Sequence, residues 1–175
     1  SRSLVGSEMC IRDRIYINGE FFHRSDAKVS VFDSGFLLGD GVWEGIRLHK
    51  NSIIHFDQHI NRLYAGADAI AMKIQLNKNE LKDAVRLTLE KNAMHSDTHI
   101  RLIVSRGIKS TPYQHPKVTI GDPTIVIIPE YKKPNSEIFD IGIRLASVKT
   151  KRDNMVQDPK INSLSKMNCI SACIE

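Results

Sequence analysis

Residues 30–47 read SVFDSGFLLGDGVWEGIR, and this stretch is the most informative part of the sequence for the fold. Glycines and acidic residues interrupt an otherwise apolar run in this stretch. Glycine at this density lets the backbone adopt positive φ or come very close to another group. A segment that only packed into a core would not need so much interruption. The interrupting residues are Gly35, Gly39, Gly41, Asp33, Asp40 and Glu44.

The residues around this stretch predict short strands followed by two helices. Asn18-Gly19 lies between two apolar runs, which is typical of a type I′ β-hairpin. Residues 42–49 predict a strand that turns at 50–52 and returns from Ile53. Apolar residues at helical spacing predict a helix capped by Asp57 and ending near Met72, then a second helix that begins at Asn77 or Asn79 and ends near Ala93.

The second half of the chain predicts further strands and a change of domain. Residues 99–106 and 124–128 are apolar and β-branched, which indicates buried strands, and the proline-containing segment 109–123 between them indicates a loop. A polar linker with Pro134 follows, and residues 141–148 predict a new strand. We therefore predict an N-terminal α+β domain over residues 15–130, a linker over 131–136 and a second domain that begins at 137.

Both ends of the chain differ from what a complete domain would show. Residues 1–14, SRSLVGSEMCIRDR, have no apolar core typical of a signal peptide and resemble a translated sequencing adaptor fused to a metagenomic reading frame. They are left out of the fold prediction. Residues 165–175 read as the middle of a helix with no stop signal, so the prediction is that the second domain is truncated at Glu175.

Composition limits the classes of function. The formal net charge is +5 and aromatic residues make up 6% of the chain, with no basic stripe, which argues against nucleic acid. No apolar run reaches the ~20 residues of a membrane span. Outside the leader, the cysteines Cys169 and Cys173 lie one helical turn apart without a secretory signal, which predicts cytoplasmic thiols and no metal site.

Three motifs occur in one order along the chain: GDGVWEGIR at 39–47, FDQHINRL at 56–63 and HIRLIVSRG at 99–107. Together they resemble the class IV aminotransferases, which are fold type IV pyridoxal-phosphate enzymes and include branched-chain and D-amino acid aminotransferases and aminodeoxychorismate lyases. The resemblance implies a two-domain α+β fold with the N-terminal domain complete, the cofactor pyridoxal 5′-phosphate, amino acid and 2-oxo acid substrates, and a homodimer.

The resemblance assigns roles to three residues of the N-terminal half. Arg62 matches the arginine that binds the cofactor phosphate, since a guanidinium can grip a phosphate through two hydrogen bonds. Arg101 is assigned to the substrate carboxylate, and Trp43 to a pocket wall.

Other interpretations of the same residues stay open. A surface ion pair of Arg62 with Asp57 or Asp68 would explain that arginine without any ligand. Arg101 and Arg106 would equally serve as structural arginines paired with Glu44 or Asp40, and Trp43 would equally serve as a core residue. The sequence does not say which of Glu44 and Arg47 contacts ligand.

The family's lysine, which forms a Schiff base with the cofactor, lies in a pattern resembling P-x-I-K-S-L-N, and this chain has DPKINSLSKMN at 158–168. An ungapped match places Asn162 at the lysine position. If a helix begins at Asn162, then Lys166 lies one turn further on and its stem leans back toward that position, because helical side chains point toward the N-terminus. Lys166 is therefore the predicted catalytic, cofactor-binding lysine, and Lys160 is the weaker candidate.

The predicted function is transfer of an amino group between an amino acid and a 2-oxo acid. A branched-chain substrate is preferred because VWEGIR resembles that subgroup's motif. Three alternatives stay open: an aminodeoxychorismate lyase of the same family, a non-catalytic descendant favoured by Asn162, and a binding module unrelated to the cofactor. We further predict that these 175 residues alone are inactive.

Overall fold

A computed structural model of the protein describes residues 13–133, 135–151 and 158–175. The predicted leader therefore lies almost wholly outside the described residues. The strands are β1 (Arg14–Ile17), β2 (Glu20–His23), β3 (Gly41–His49), β4 (Ser52–Ile53), β5 (Thr98–Ser105) and β6 (Thr124–Tyr131). The helices are α1 (Ser34–Leu38), α2 (Phe56–Ala69), α3 (Lys78–Lys91), α4 (Glu137–Ile141) and α5 (Met167–Ile174), with a 3₁₀ turn at Pro116–Val118.

The strands form one sheet in the order β2-β1-β6-β5-β3-β4, and every neighbouring pair is antiparallel. β3 and β5 are paired from Gly41 opposite Ser105 to Leu48 opposite Thr98, so their registers match over eight residue pairs. An antiparallel sheet with separate helices is an α+β architecture, and the predicted fold class is confirmed.

The core lies between α2, α3 and one face of this sheet. Side chains alternate between the two faces of a strand, so every second residue of β3 and β5 points toward the helices. The opposite face, which carries Trp43 and Arg101, is only partly covered by the described residues. The buried residues that form the core include Val42, Ile46, Leu48, Ile60, Leu63, Ala67, Leu81, Val85, Ile100, Leu102, Val104, Ile125 and Ile127.

The predicted hairpin is confirmed. Asn18 and Gly19 both adopt positive φ, at 46° and 98°, between the antiparallel strands β1 and β2. A type I′ turn requires positive φ at both central residues, and asparagine and glycine adopt it at low cost.

The starts of the two long helices differ in how they compare with the predicted caps. Asp57 does not cap α2; His55, at φ 49°, precedes the helix, and Asp57 lies inside the first turn and forms an ion pair with Lys82 of α3. The helix begins two residues earlier than predicted, so Asp57 lies in the first turn instead of at the cap, where its carboxylate reaches Lys82. Asn77 caps α3, and its side chain accepts from the N–H groups of Asn79 and Glu80.

Replacing Asn77 with alanine is expected to lower the free energy of unfolding by about 1 kcal/mol, because the capping box with Glu80 is lost. That corresponds to a fall in Tm of about 2–4 °C, measured by thermal unfolding followed by circular dichroism. Asn79→Ala is the matched control, since Asn79 is exposed within the first turn. Equal falls in both variants would contradict the assignment of the cap.

The prediction of a strand at 141–148 is wrong. α4 ends at Ile141, and residues 142–148 contain neither helix nor strand. A strand needs a neighbour to satisfy its backbone groups, and none of the described residues pairs with this apolar segment. The linker at 131–136 and the division at 137 remain predictions. Within the described ranges, no helix has the length and apolarity needed to cross a bilayer.

Candidate active site

The free edge of β3 brings the glycine-rich stretch and the segment 161–164 into contact. β4 pairs only with the last residues of β3, at Leu48 and His49. Residues 161–164 run along the open first half of this edge: Trp43 N donates to Asn162 O at 2.9 Å, and Leu164 N donates to Gly41 O at 3.0 Å. A Cβ on Gly41 would lie 2.5 Å from the carbonyl oxygen of Val104, so this close approach requires glycine.

Glu44 is the buried acid of this edge. It points toward α2 and is 0% exposed. Its carboxylate accepts from Arg62 Nε at 2.7 Å and Arg62 Nη2 at 2.6 Å, and His59 Nδ1 lies 2.7 Å from its second oxygen. His59 and Arg62 reach the same carboxylate because residues three apart share a helix face.

Arg62 is held by that carboxylate but still accessible to a ligand. Its side chain is 57% exposed. The hydrogen bonds to Glu44 raise its pKa above the usual arginine value, and partial burial opposes them. Glu44 occupies Nε and Nη2, so Nη1 is free of the Glu44 contact. The alternative that Arg62 pairs with Asp57 or Asp68 is wrong, because Glu44 is its partner.

Asp40 and Arg106 form a second ion pair that is structural. Arg106 Nε donates to Asp40 Oδ2 at 2.6 Å, and Nη2 donates to Oδ1 at 3.0 Å. The same guanidinium donates to the carbonyls of Ile70 at 2.8 Å and Ala71 at 3.1 Å, just beyond α2. Arg106 therefore ties the sheet to the end of α2, as the structural alternative predicted for this arginine.

Trp43 lies on the opposite face of β3 from Glu44 and is not a core residue. The Arg101 guanidinium carbon lies 4.4 Å from its ring centroid, and Lys166 Nζ lies 5.2 Å from it. The indole N–H donates to Ser163 O at 3.1 Å. Together, the two cations and the partly exposed indole ring are suited to a ligand that is anionic and contains a planar ring.

Charge on this face acts on a neighbouring histidine. Burial lowers the pKa of His99, and the positive charges of Arg101, Lys132 and Arg47 lower it further, against an opposing effect of Glu130. Arg47 itself donates to Lys132 O, which is a structural contact. Burial and charge both favour the neutral form of His99, and Arg101, Lys132 and Arg47 are the positive charges that act on it.

Lys166 joins this cluster, although by a different geometry from the predicted one. α5 begins at Met167 and Lys166 precedes it, so the predicted helix start at Asn162 is wrong. Asn162 cannot begin a helix because its backbone pairs with the edge of β3. The Lys166 amine nevertheless reaches back and donates to Asn162 Oδ1 at 3.1 Å.

Lys160 is not brought into the cluster. It is exposed, and its backbone N–H donates to Asp158 Oδ1 at 2.9 Å in a turn. Of the two lysines predicted from sequence, Lys166 alone has a described contact with Trp43 or Asn162.

Sequence reasoning missed three contacts of the site. They are the His59–Glu44 and Arg62–Glu44 pairs and the Asn162 bridge between Trp43 and Lys166. Strand alternation in VWEG already separates Trp43 from Glu44 by face, and this signal could have identified Glu44 as the acid facing α2. No local pattern reveals the Asn162 contact, since its partner Trp43 lies 119 positions away.

An apolar cavity of about 550 Å³ lies on the same face of the sheet as Trp43. Its walls come from α1, the strands β1, β5 and β6, and Leu164, and they include Ile17, Phe36, Ile103, Val126 and Ile128. This volume is within the range of small-molecule pockets. Among the described residues, no three His, Cys, Asp or Glu side chains are grouped to hold a metal ion.

This architecture is the fold found in branched-chain aminotransferase structures. The crystal structure of the branched-chain aminotransferase from Thermoproteus uzoniensis with norvaline superposes with a TM-score of 0.77 at 24% identity, over 92% of this chain and 55% of that one. The profile of the family described as amino-transferase class IV matches residues 41–175. The chain belongs to the class IV aminotransferase family.

Relatives with curated names agree with the family. A putative branched-chain-amino-acid aminotransferase of Methanocaldococcus jannaschii is 39% identical over 163 residues, which is 93% of this chain and 55% of the relative. Branched-chain-amino-acid aminotransferase-like protein 1 of Arabidopsis thaliana is 37% identical over 91% of this chain and 29% of its own length. The chain thus spans about half the archaeal relative and less of the plant one.

Proposed function

We propose that the protein is a pyridoxal 5′-phosphate-dependent aminotransferase that moves an amino group between an amino acid with a branched aliphatic side chain and a 2-oxo acid. The observation that carries the proposal is the placement of Lys166 and Arg101 on Trp43. Arg62 is held by Glu44 on the other face of the same strand, β3. The similarity to proteins named branched-chain aminotransferases supports the substrate class.

The described residues match the cofactor in chemical kind. A phosphate needs a guanidinium that is fixed yet accessible, and Arg62 is anchored by Glu44 while 57% exposed. The cofactor aldehyde needs an amine, and the Lys166 amine is held by a neutral amide oxygen at 3.1 Å. When bound, the cofactor supplies an electron-withdrawing ring that stabilises negative charge at the substrate α-carbon.

Each residue then has a distinct task. Arg62, whose orientation is fixed by Glu44 and His59, would hold the cofactor phosphate. Lys166 provides the amine that carries the cofactor and afterwards moves the proton at the substrate α-carbon. Arg101, whose guanidinium carbon lies 4.4 Å from the Trp43 ring centroid, would bind the substrate carboxylate, and Trp43 would form a wall of the pocket.

The substrate's side chain and the assembly are further parts of the proposal. The cavity that Leu164 helps to line suits a branched aliphatic group, because most of its wall is hydrocarbon, with Arg24, Lys28 and Asp33 as its charged residues. We propose a cytoplasmic homodimer, since the family resemblance implies pairing of subunits. Exposed apolar side chains near the site, among them Phe36 and Leu38, are available for such contacts.

The test uses the full-length gene product with added pyridoxal 5′-phosphate. Amino donors L-leucine, L-isoleucine, L-valine and D-alanine are each offered with 2-oxoglutarate, and the new oxo acid is measured. Turnover of the three L-amino acids is expected. Exclusive turnover of D-alanine would overturn the substrate class, and pyruvate release from aminodeoxychorismate without transamination would favour the lyase. A folded protein that neither binds the cofactor nor transaminates would favour the non-catalytic descendant.

A further inference from the structure

The Asn162 side chain links the backbone of Trp43 to the amine of Lys166. Its Nδ2 donates to Trp43 O at 2.7 Å, and its Oδ1 accepts from Lys166 Nζ at 3.1 Å. Its backbone carbonyl accepts from Trp43 N at 2.9 Å. The amide can serve both contacts in one orientation only, since rotation would turn its NH₂ group toward the ammonium and its oxygen toward a carbonyl.

We infer that Asn162 is a positioning residue for Lys166: it fixes the amine over the face of Trp43, where the cofactor is carried under the proposed function on which this inference rests. A lysine side chain has a flexible four-carbon stem and a compact head group, so holding it in one rotamer costs conformational entropy. The Asn162 oxygen supplies a directed acceptor at the end of that stem. The ring of Trp43 supplies a broad surface without a preferred direction.

The choice of an amide also suits the chemistry. A carboxylate at the same place would stabilise the charged ammonium, whereas the reacting amine must lose its proton before it attacks a carbonyl. Arg101 lies on the same indole, so a full negative charge would also compete for that guanidinium. Asparagine orients the amine without adding a charge to the cluster.

The Asn162 side chain and the backbone of the segment 161–164 make separate contributions to the site. Two backbone hydrogen bonds, from Trp43 N to Asn162 O and from Leu164 N to Gly41 O, hold the segment 161–164 on β3 without the Asn162 side chain, whose own bond to Trp43 O would be lost. Loss of the Asn162 side chain is therefore expected to release the lysine more than the segment. The most direct substitution is Asn162→Leu, which is close in size and has no polar side-chain atoms.

Trp43 is the single tryptophan of these 175 residues, and its share of the emission is obtained by subtracting the spectrum of Trp43→Phe. In the full-length gene product without cofactor, Asn162→Leu is expected to change the emission of Trp43 in the same direction as Lys166→Met, because both remove the amine from the ring. Asn168→Leu, an exposed asparagine two residues beyond Lys166, is the matched control. A wild-type spectrum in Asn162→Leu together with an altered spectrum in Lys166→Met would overturn the positioning role.

The second readout is the site of covalent capture. The protein is mixed with pyridoxal 5′-phosphate and reduced with borohydride, and the adducts on Lys166 and on exposed Lys160 are quantified by mass spectrometry. We expect the Lys166-to-Lys160 ratio to fall by about tenfold or more in Asn162→Leu, the order expected for one hydrogen bond to a charged group. Circular dichroism establishes that the variant is folded.

The outcomes distinguish this inference from the proposed function. An adduct on Lys166 in the unsubstituted protein, with an unchanged ratio in folded Asn162→Leu, would refute the role of Asn162 and leave the aminotransferase proposal standing. Absence of a Lys166 adduct in the unsubstituted protein would refute the proposed function. A lowered ratio that Asn162→Gln partly restores would support positioning, because glutamine keeps the amide acceptor.

Discussion

Lys166→Ala in the full-length gene product is expected to lower transamination by about a thousandfold, because the variant has lost both the amine that carries the cofactor and the group that moves the proton. The loss should lie in kcat, since Arg62, Arg101 and Trp43 remain to bind cofactor and substrate. Steady-state rates with L-leucine and 2-oxoglutarate, at saturating pyridoxal 5′-phosphate, measure the effect. Borohydride capture should find no adduct at position 166.

Lys160→Ala is the control for this prediction, because Lys160 is exposed and has no described contact with the cluster. Its rate should stay close to that of the unsubstituted protein. Asn162→Lys placed in the Lys166→Ala background is expected to recover part of the activity. The family pattern has its lysine at this position, and the Asn162 oxygen lies 3.1 Å from the present amine. Full activity of the Lys166→Ala variant would refute the assignment of Lys166 as the catalytic lysine.

Glu44→Gln is expected to reduce the free energy of unfolding by about 2–3 kcal/mol, because a buried acceptor of three hydrogen bonds becomes a neutral amide with one donor end. The substitution preserves shape, so no cavity contributes. The two partners are partly exposed and can turn to water, which keeps the cost below that of a fully buried pair. A fall in Tm of about 5–10 °C should follow.

The same variant should also bind pyridoxal 5′-phosphate more weakly, because Arg62 would no longer be held by two bonds from one carboxylate. Titration with pyridoxal 5′-phosphate, followed by the quenching of the protein's fluorescence, gives the Kd. Glu90→Gln on the exposed side of α3 is the matched control and should change neither Tm nor Kd. If Glu44→Gln unfolds at the temperature of the unsubstituted protein, the buried carboxylate is not the anchor that the contacts suggest.

Local patterns were enough for much of the fold. Asn18-Gly19 predicted the first hairpin because those two residues tolerate the backbone of the turn, and the apolar spacing of 57–72 and 77–93 predicted both helices. The strand prediction at 141–148 failed for a reason that no window reveals. A strand also requires a partner, and apolar composition alone does not supply one.

The candidate site divides in the same way. The family and the candidate residues Arg62 and Trp43 followed from contiguous motifs, whereas Lys166 was predicted from a helix start at Asn162 that the structure does not have. The partners of these residues could not be predicted from the motifs. Arg62 was matched to two nearby acids on its own helix, whereas its partner Glu44 lies on β3, at the position that strand alternation turns toward α2.

The sequence by itself therefore determined the α+β class, the hairpin, the two long helices and the class IV family, because these depend on residues within a few positions of one another. Only the tertiary structure decided that Asp40 holds Arg106, that Glu44 holds Arg62, and that Asn162 joins Trp43 to Lys166. Asp40 and Glu44 meet their partners because β3 pairs with β5 and packs on α2. Asn162 meets Trp43 because the first half of β3 has an open edge. Its free N–H and C=O groups are paired by a segment 119 positions away, and the register of that pairing sets which side chains meet.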